Sequence, residues 1–184
     1  MVRVERKTKE VEVVVKLSLE GGEIAIDTGI GFLDHMLTSL AFHSGIGLEV
    51  KARGDLHVDE HHTVEDVAIA LGRAFRKAIE GKKISRFGSA IVPMDESVAI
   101  CGVDVSGRGY FVLEGEFGDA RIRGENVLHF LDTFCRNSGV NVYLQVKGRN
   151  EHHKIESAFK ALALALRQAL REAEDVRSTK GALD

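Results

Sequence analysis

The sequence holds a single proline, no tryptophan, two tyrosines and two cysteines among its 184 residues. Cys101 and Cys135 are too few for a disulfide scaffold and share no metal-type spacing, so a reducing, cytoplasmic setting is the default. No apolar run approaches the length of a membrane span, and MVRVERKTKE lacks the apolar centre of a signal peptide. Nor does either sign of charge dominate. With 25 basic and 28 acidic residues the net charge is −3, which argues against a nucleic-acid partner. At 44% hydrophobic and 29% charged, the chain can fill one core and remain dissolved. Eight histidines are what composition leaves unexplained.

Those histidines recur in register. HMLTSLAFHSGIGLEVKARG around His35 matches HFLDTFCRNSGVNVYLQVKG around His129, and EHHTVE matches EHHKIE. His35 thus pairs with His129, while His61, His62 and Glu65 pair with His152, His153 and Glu156. The reading is one domain over 1–184 built from two repeats, about 1–87 and 88–184. The apolar alternation of VEVVVKLSL predicts a strand; Gly21-Gly22 and EIAIDT predict its hairpin partner. Helical spacing follows over Phe32–His43, then a strand IGLEVKA and a helix over Thr63–Glu80. The second copy repeats the order and ends in a helix over Lys154–Glu174, apolar around most of its girth. The expected fold class is α/β (α+β), with duplicated ββαβα halves and a helical layer between two mixed β-sheets.

An HHxxE motif at a helix start has a definite geometry. The first histidine and the glutamate share a face one turn apart, whereas the second histidine points about 100° away. Adjacent histidines therefore suit two different metals better than one. Six imidazoles and two carboxylates divide into two sets of three histidines and one glutamate, a donor set for Mn, Fe, Co, Ni or Zn. TGIGFLDHM can be read as a phosphate-cradling loop or as a plain strand-to-helix turn. Arg73, Arg76 and Lys77 read as a solvated helix face. A dinuclear metallohydrolase would normally carry a carboxylate bridging both ions, and none is obviously placed for that. A metal-storage protein would share the ligands and need nothing more.

The stretches GIGFLDHML, DLHVDEHHTVEDVAIALG, HFLDTFCRNSGV, NEHHKIESAFKALALAL and STKG resemble those of imidazoleglycerol-phosphate dehydratases. The resemblance runs from RKTKE to STKG. It implies a stand-alone hydro-lyase of histidine biosynthesis that converts D-erythro-imidazole glycerol phosphate to imidazole-acetol phosphate. It also implies two Mn(II) ions per active site and a homo-oligomer of 24 subunits with sites between them, with no nucleic acid or membrane involved. The family's metal ligands fall on His35, His61, His62, Glu65, His129, His152, His153 and Glu156. Its substrate contacts fall on Glu10, the segment from His35 to His43, His61, His62, Glu65, Arg86, Arg108, Ser178 and Lys180. Glu10, His43, Glu65 and Glu156 are the candidates for catalytic work. Two positions depart from the family pattern: Val11 stands where threonine is usual, and Gly109 where proline is usual.

The reaction explains the need for metal. The hydrogen to be removed has no carbonyl to acidify it, so a side-chain base alone faces a very weak acid. On this resemblance, a metal-bound imidazolate would push electrons toward the leaving hydroxide, giving a diazafulvene-like intermediate and then an enol that collapses to the ketone. Arg86, Arg108 and Lys180 would hold the phosphate by charge-assisted hydrogen bonds.

Overall fold

The computed structural model describes residues 1–175 and 178. Strand β1 (Val2–Lys7) forms a hairpin with β2 (Val11–Ser18), and β3 (Ile24–Asp27) leads through helix α1 (Gly31–Ser44) to β4 (Gly47–Gly54) and helix α2 (His61–Ile79). The second half repeats the order with β5 (Phe87–Met94), β6 (Ser97–Val105), β7 (Phe111–Glu114), α3 (Gly124–Ser138), β8 (Val140–Lys147) and α4 (Glu151–Ala169). The sheets have equivalent orders, β1-β2-β4-β3 and β5-β6-β8-β7, each antiparallel except for one parallel pair at β3–β4 or β7–β8. The expected mixed sheets and duplicated halves are therefore present, and each half opens with one strand more than the expected ββαβα.

Those extra strands are edges, which hides them from a reading of periodicity. β1 offers only Val2 and Val4 amid Arg3, Glu5, Arg6 and Lys7, the charged composition that protects an edge. β5 contains Pro93, tolerated because an edge strand leaves one side unpaired. The hairpin expected between VEVVVKLSL and EIAIDT does not form. β2 has both its edges taken, by β1 and β4, so β3 goes to the far side of β4 and runs parallel to it. Gly21-Gly22 serves instead to fold the chain back past Gly47, whose Cα lies close to the Gly21 carbonyl.

The helices lie between the sheets and cross-link the halves: α2 packs on β1 and β2 and against α3, while α4 packs on β5 and β6 and against α1. Inward-facing Val13, Val15 and Leu17 of β2 and Ala99, Cys101 and Val103 of β6 close the layers. Phe75 of α2 meets Phe134 of α3 edge-on at 5.7 Å, and Phe130 of α3 lies 5.9 Å from Phe159 of α4. Gly72 lets α2 and α3 approach so closely that a Cβ there would fall 2.6 Å from that of Asn137. Both cysteines are buried; burial pushes the Cys101 thiol up to about 12 and that of Cys135 higher still, as inert core groups. Among the described residues, no helix is long and apolar enough to cross a membrane.

Candidate metal centres and phosphate site

Both HHxxE helices begin earlier than expected, and this sets the site. α2 starts at His61 rather than Thr63 because the Asp59 carboxylate accepts the His61 N–H at 2.8 Å. α4 starts at Glu151 rather than Lys154, with Asn150 as its cap accepting the N–H of His153 at 3.3 Å. Each histidine pair thus occupies a first turn with its glutamate one turn on. At the other end α4 stops at Ala169 instead of Glu174, because residues 171–173 hydrogen-bond to 83–85 in front of β5.

Each cluster draws from both halves. His61 and Glu65 of α2 meet His129 of α3: the two imidazoles stack at 4.7 Å, and His129 Nε2 lies 3.3 Å from Glu65 Oε1. His152 and Glu156 of α4 meet His35 of α1, with Nε2 atoms 3.0 and 3.4 Å from Glu156 Oε2. In each triad one donor atom per residue lies within 4.8 Å of the others. Two imidazole nitrogens and one carboxylate oxygen at such spacing fit a borderline divalent cation. Among the described residues, each set within one chain holds two histidines and a glutamate. His62 and His153 turn away, as the 100° step requires.

The surroundings of those two histidines were not foreseen. His62 Nδ1 lies 3.0 Å from Asp55 Oδ2 and 3.7 Å from Glu10 Oε2, and the Asp55 bond, joined by the charge of Glu10, raises its pKa above the usual value despite desolvation. His153 Nδ1 lies 2.9 Å from Glu96 Oε2, which raises its pKa likewise, while His153 holds the Glu96 carboxyl far below the ordinary range. Asn126 Oδ1 lies 3.2 Å from His61 Nδ1. Periodicity singles out none of Asp55, Glu96 or Asn126; only their place beside strand ends and helix starts does. For Glu156, burial acts to raise the carboxyl, yet Lys160 at 2.8 Å, with His35 and His152, holds it below its usual value. Burial and then the charge of Lys160 lower the pKa of His43, which favours its neutral ring.

Arg86 and Arg108 converge on one carboxylate. Arg86 Nε donates to Asp104 Oδ1 at 2.7 Å, and Arg108 Nη2 reaches Asp104 Oδ2 at 3.5 Å. Arg86 is held at φ 70°, a left-handed angle costly for a side chain of its size, by its N–H to Ala169 and its carbonyl to Val105. Gly109 sits at φ 77°, which proline cannot adopt, so the loop carrying Arg108 takes a path closed to the proline form. Ser178 is half-buried; Lys180 lies outside the described residues. The TGIG loop is a turn closed on itself: Asp34 accepts the N–H and hydroxyl of Thr28 at 2.9 and 2.6 Å, and a carboxylate there repels a phosphate.

The family model of imidazoleglycerol-phosphate dehydratase matches residues 28–166. A dehydratase of that name from Archaeoglobus fulgidus is 59% identical over the whole of both chains. The chain belongs to the imidazoleglycerol-phosphate dehydratase family. One from Methanothermobacter thermautotrophicus is 50% identical, over 97% of this chain and 95% of its own. The crystal structure of the Pyrococcus furiosus dehydratase in complex with (S)-C348 superposes with a TM-score of 0.88 at 37% identity, covering 98% of this chain and 100% of that one. The protein is accordingly a hydro-lyase of histidine biosynthesis, and the chain matches relatives of its own length.

Proposed function

We propose that the two repeats form one dehydratase domain that removes water from D-erythro-imidazole glycerol phosphate with two Mn(II) ions per active site, each site completed by another copy of the chain. The observation that carries this reading is the separation of the parts. Arg86 is anchored to Ala169 at the end of α4, whereas His152 stands at its beginning, about 25 Å away along the helix. On the other side, Gly107 beside Arg108 is tied to Gly139 after α3, about 15 Å along that helix from His129. The three-carbon chain joining the substrate's ring to its phosphate spans about 6 Å. These spans favour a site in which the arginines of one copy stand beside the histidines of another. A closed particle of 24 subunits meets that need.

When bound, the ions would supply Lewis acidity to the substrate's ring. The protein does the rest. His61, Glu65 and His129, and His35, His152 and Glu156, are the ligand sets, with His62 and His153 presented to ligands of a neighbouring copy. Hydroxide leaves the ring-bearing carbon, the neighbouring carbon loses its proton, and the resulting enol becomes the ketone; hydroxide and proton together make the released water. Glu10, half-exposed in the β1–β2 turn beside His62, would take or deliver that proton. His43, as the neutral ring its pKa favours, can hydrogen-bond a substrate hydroxyl. Asp104 holds the guanidinium groups of Arg86 and Arg108 until the phosphate arrives, with Ser178 and Lys180 adding a hydroxyl and an ammonium. The test is turnover of imidazole glycerol phosphate before and after chelation, with Mn(II) added back. Arg108→Ala should raise KM by roughly 10- to 150-fold, the loss of one charge-assisted hydrogen bond, with metal content intact. A KM equal to that of the unmodified enzyme would remove Arg108 from the phosphate site.

A further inference from the structure

His62 and His153 face a common need: Nε2 must carry a lone pair outward if either is to bind an ion shared with another copy. In a neutral imidazole that requires the hydrogen to sit on Nδ1. A carboxylate can only accept, so Asp55 at 3.0 Å and Glu96 at 2.9 Å each demand that hydrogen. The two carboxylates are not counterparts in the repeat. Asp55 follows Gly54 at the end of β4, and the residue after the matching Gly148 is Arg149, a cation. Glu96 has its own counterpart elsewhere. Val11 stands opposite Gly54, and Ser97 packs on Gly148, so Val11 matches Ser97 and Glu10 matches Glu96. In the second half the turn glutamate binds its histidine directly; in the first half Asp55 does so, and Glu10 stands back at 3.7 Å. The same orientation is reached twice from different places.

We propose that Asp55 and Glu96 are positioning residues that fix the tautomer and direction of His62 and His153 for metal binding, and that Asp55 leaves Glu10 uncommitted for the substrate. Their settings support the role. Glu96 is itself held by the N–H of Asn150 at 2.8 Å and the hydroxyl of Ser97 at 2.9 Å. Asp55 Oδ1 is buried with no hydrogen-bond partner among the described residues, so its carboxylate is committed through Oδ2 to His62. Asp95 Oδ2 is 3.7 Å from His153 Nε2, beyond hydrogen-bond reach and 77% exposed, so it does not block that nitrogen.

The proposal rests on His62 and His153 being ligands, and the experiment separates the two claims. Mn(II) affinity of the assembled enzyme is measured by competition with a chelating fluorophore, together with the melting temperature of the metal-free protein. Asp55→Ala and Glu96→Ala should each lower the affinity of one ion by roughly 10- to 100-fold. Asp55→Asn and Glu96→Gln, which keep an acceptor but lose the charge, should lower it less. Glu10→Gln should leave Mn(II) affinity at the wild-type value. Unchanged affinity in both alanine variants, or a loss confined to the metal-free melting temperature, overturns the proposal if His62→Ala and His153→Ala do lose metal. Unchanged affinity in those histidine variants overturns the ligand reading itself. An equal loss in Glu10→Gln and Asp55→Ala overturns the division of labour between the two carboxylates.

Discussion

Glu65 and Glu156 occupy equivalent places in the two HHxxE motifs, yet they live in different surroundings. Glu65 is 40% exposed, and Asn126 meets the Nδ1 of its neighbour His61. Glu156 is 10% exposed, faces two imidazole nitrogens, and carries Lys160 on its other oxygen at 2.8 Å. In the register of the histidine pairs, the counterpart of Lys160 is Ile69. One cluster therefore presents a net negative donor set, and the other is neutralised by its own ammonium group. The two halves supply the same candidate ligand types twice; the residue one turn beyond the glutamate makes them unequal. The difference teaches that the cluster at His35 should hold a cation less tightly than the cluster at His61.

The strongest way to break the comparison is to remove a carboxylate charge. Glu65→Gln and Glu156→Gln keep shape and should each lose at least about 10-fold in affinity for one ion, with activity falling in step. Metal titration on each variant checks this, and full metal with full turnover in either would mean that its glutamate is not a ligand. A smaller effect sharpens the asymmetry. Lys160→Met removes an ammonium from the neighbourhood of the His35 cluster and should tighten that site by about 1 kcal/mol, roughly fivefold. The converse change, Ile69→Lys, should weaken the other site by a similar factor. Two binding steps resolved calorimetrically should move closer together in both variants; steps that keep their spacing would show that Lys160 does not set the difference.

Acidity gives the smallest and broadest effect. His62 and His153 have raised pKa values in the folded protein. In the metal-free state each pair with Asp55 or Glu96 stabilises fully below about pH 6.5 and loses that contribution as pH rises through the raised folded value. Seen from the carboxylates, whose pKa values are lowered, the same interaction is present above about pH 4 and is lost as pH falls through theirs. It is one interaction per pair and counts once. The metal-free melting temperature should therefore decline from pH 6 toward pH 8, and decline less in Asp55→Asn. A metal-bound protein should behave oppositely, since protons compete for imidazole and acid near or below pH 6 should release the ions.

How much of this the sequence shows depends on whether a feature is periodic or tertiary. The β2 alternation, the helix stripes and the paired HHxxE motifs are repeating patterns, and they lead to the two mixed sheets and to each histidine–glutamate face. β1 and β5 escape because an edge strand is shaped by charge and proline rather than by burial. The β2–β3 hairpin misleads because Gly21-Gly22 reads as a tight turn, while the pairing is decided by β4 competing for the same edge. For the TGIG loop the plainer of its two readings fits: Asp34, six residues from Thr28, closes the loop on itself as a turn. Glu96 leaves no motif, since its partner lies 57 residues away, and Asp55 opens DLHVDEHHTVEDVAIALG with no periodicity to tie it to His62. The meeting of Arg86 and Arg108 on Asp104 depends on β5 and β6 pairing and on a strained backbone at Arg86.

The proposal that each chain supplies two unequal half-sites, completed by a second copy, is open to a direct test. Its most direct test follows Mn(II) bound per chain and particle mass together through chelation and re-addition. The account predicts two ions per chain in the assembled particle, with the more weakly held ion lost first. Loss of both should give a smaller particle, and Mn(II) should restore the original mass. A particle that binds its metal as an isolated chain, or keeps its mass when stripped of all metal, would contradict it.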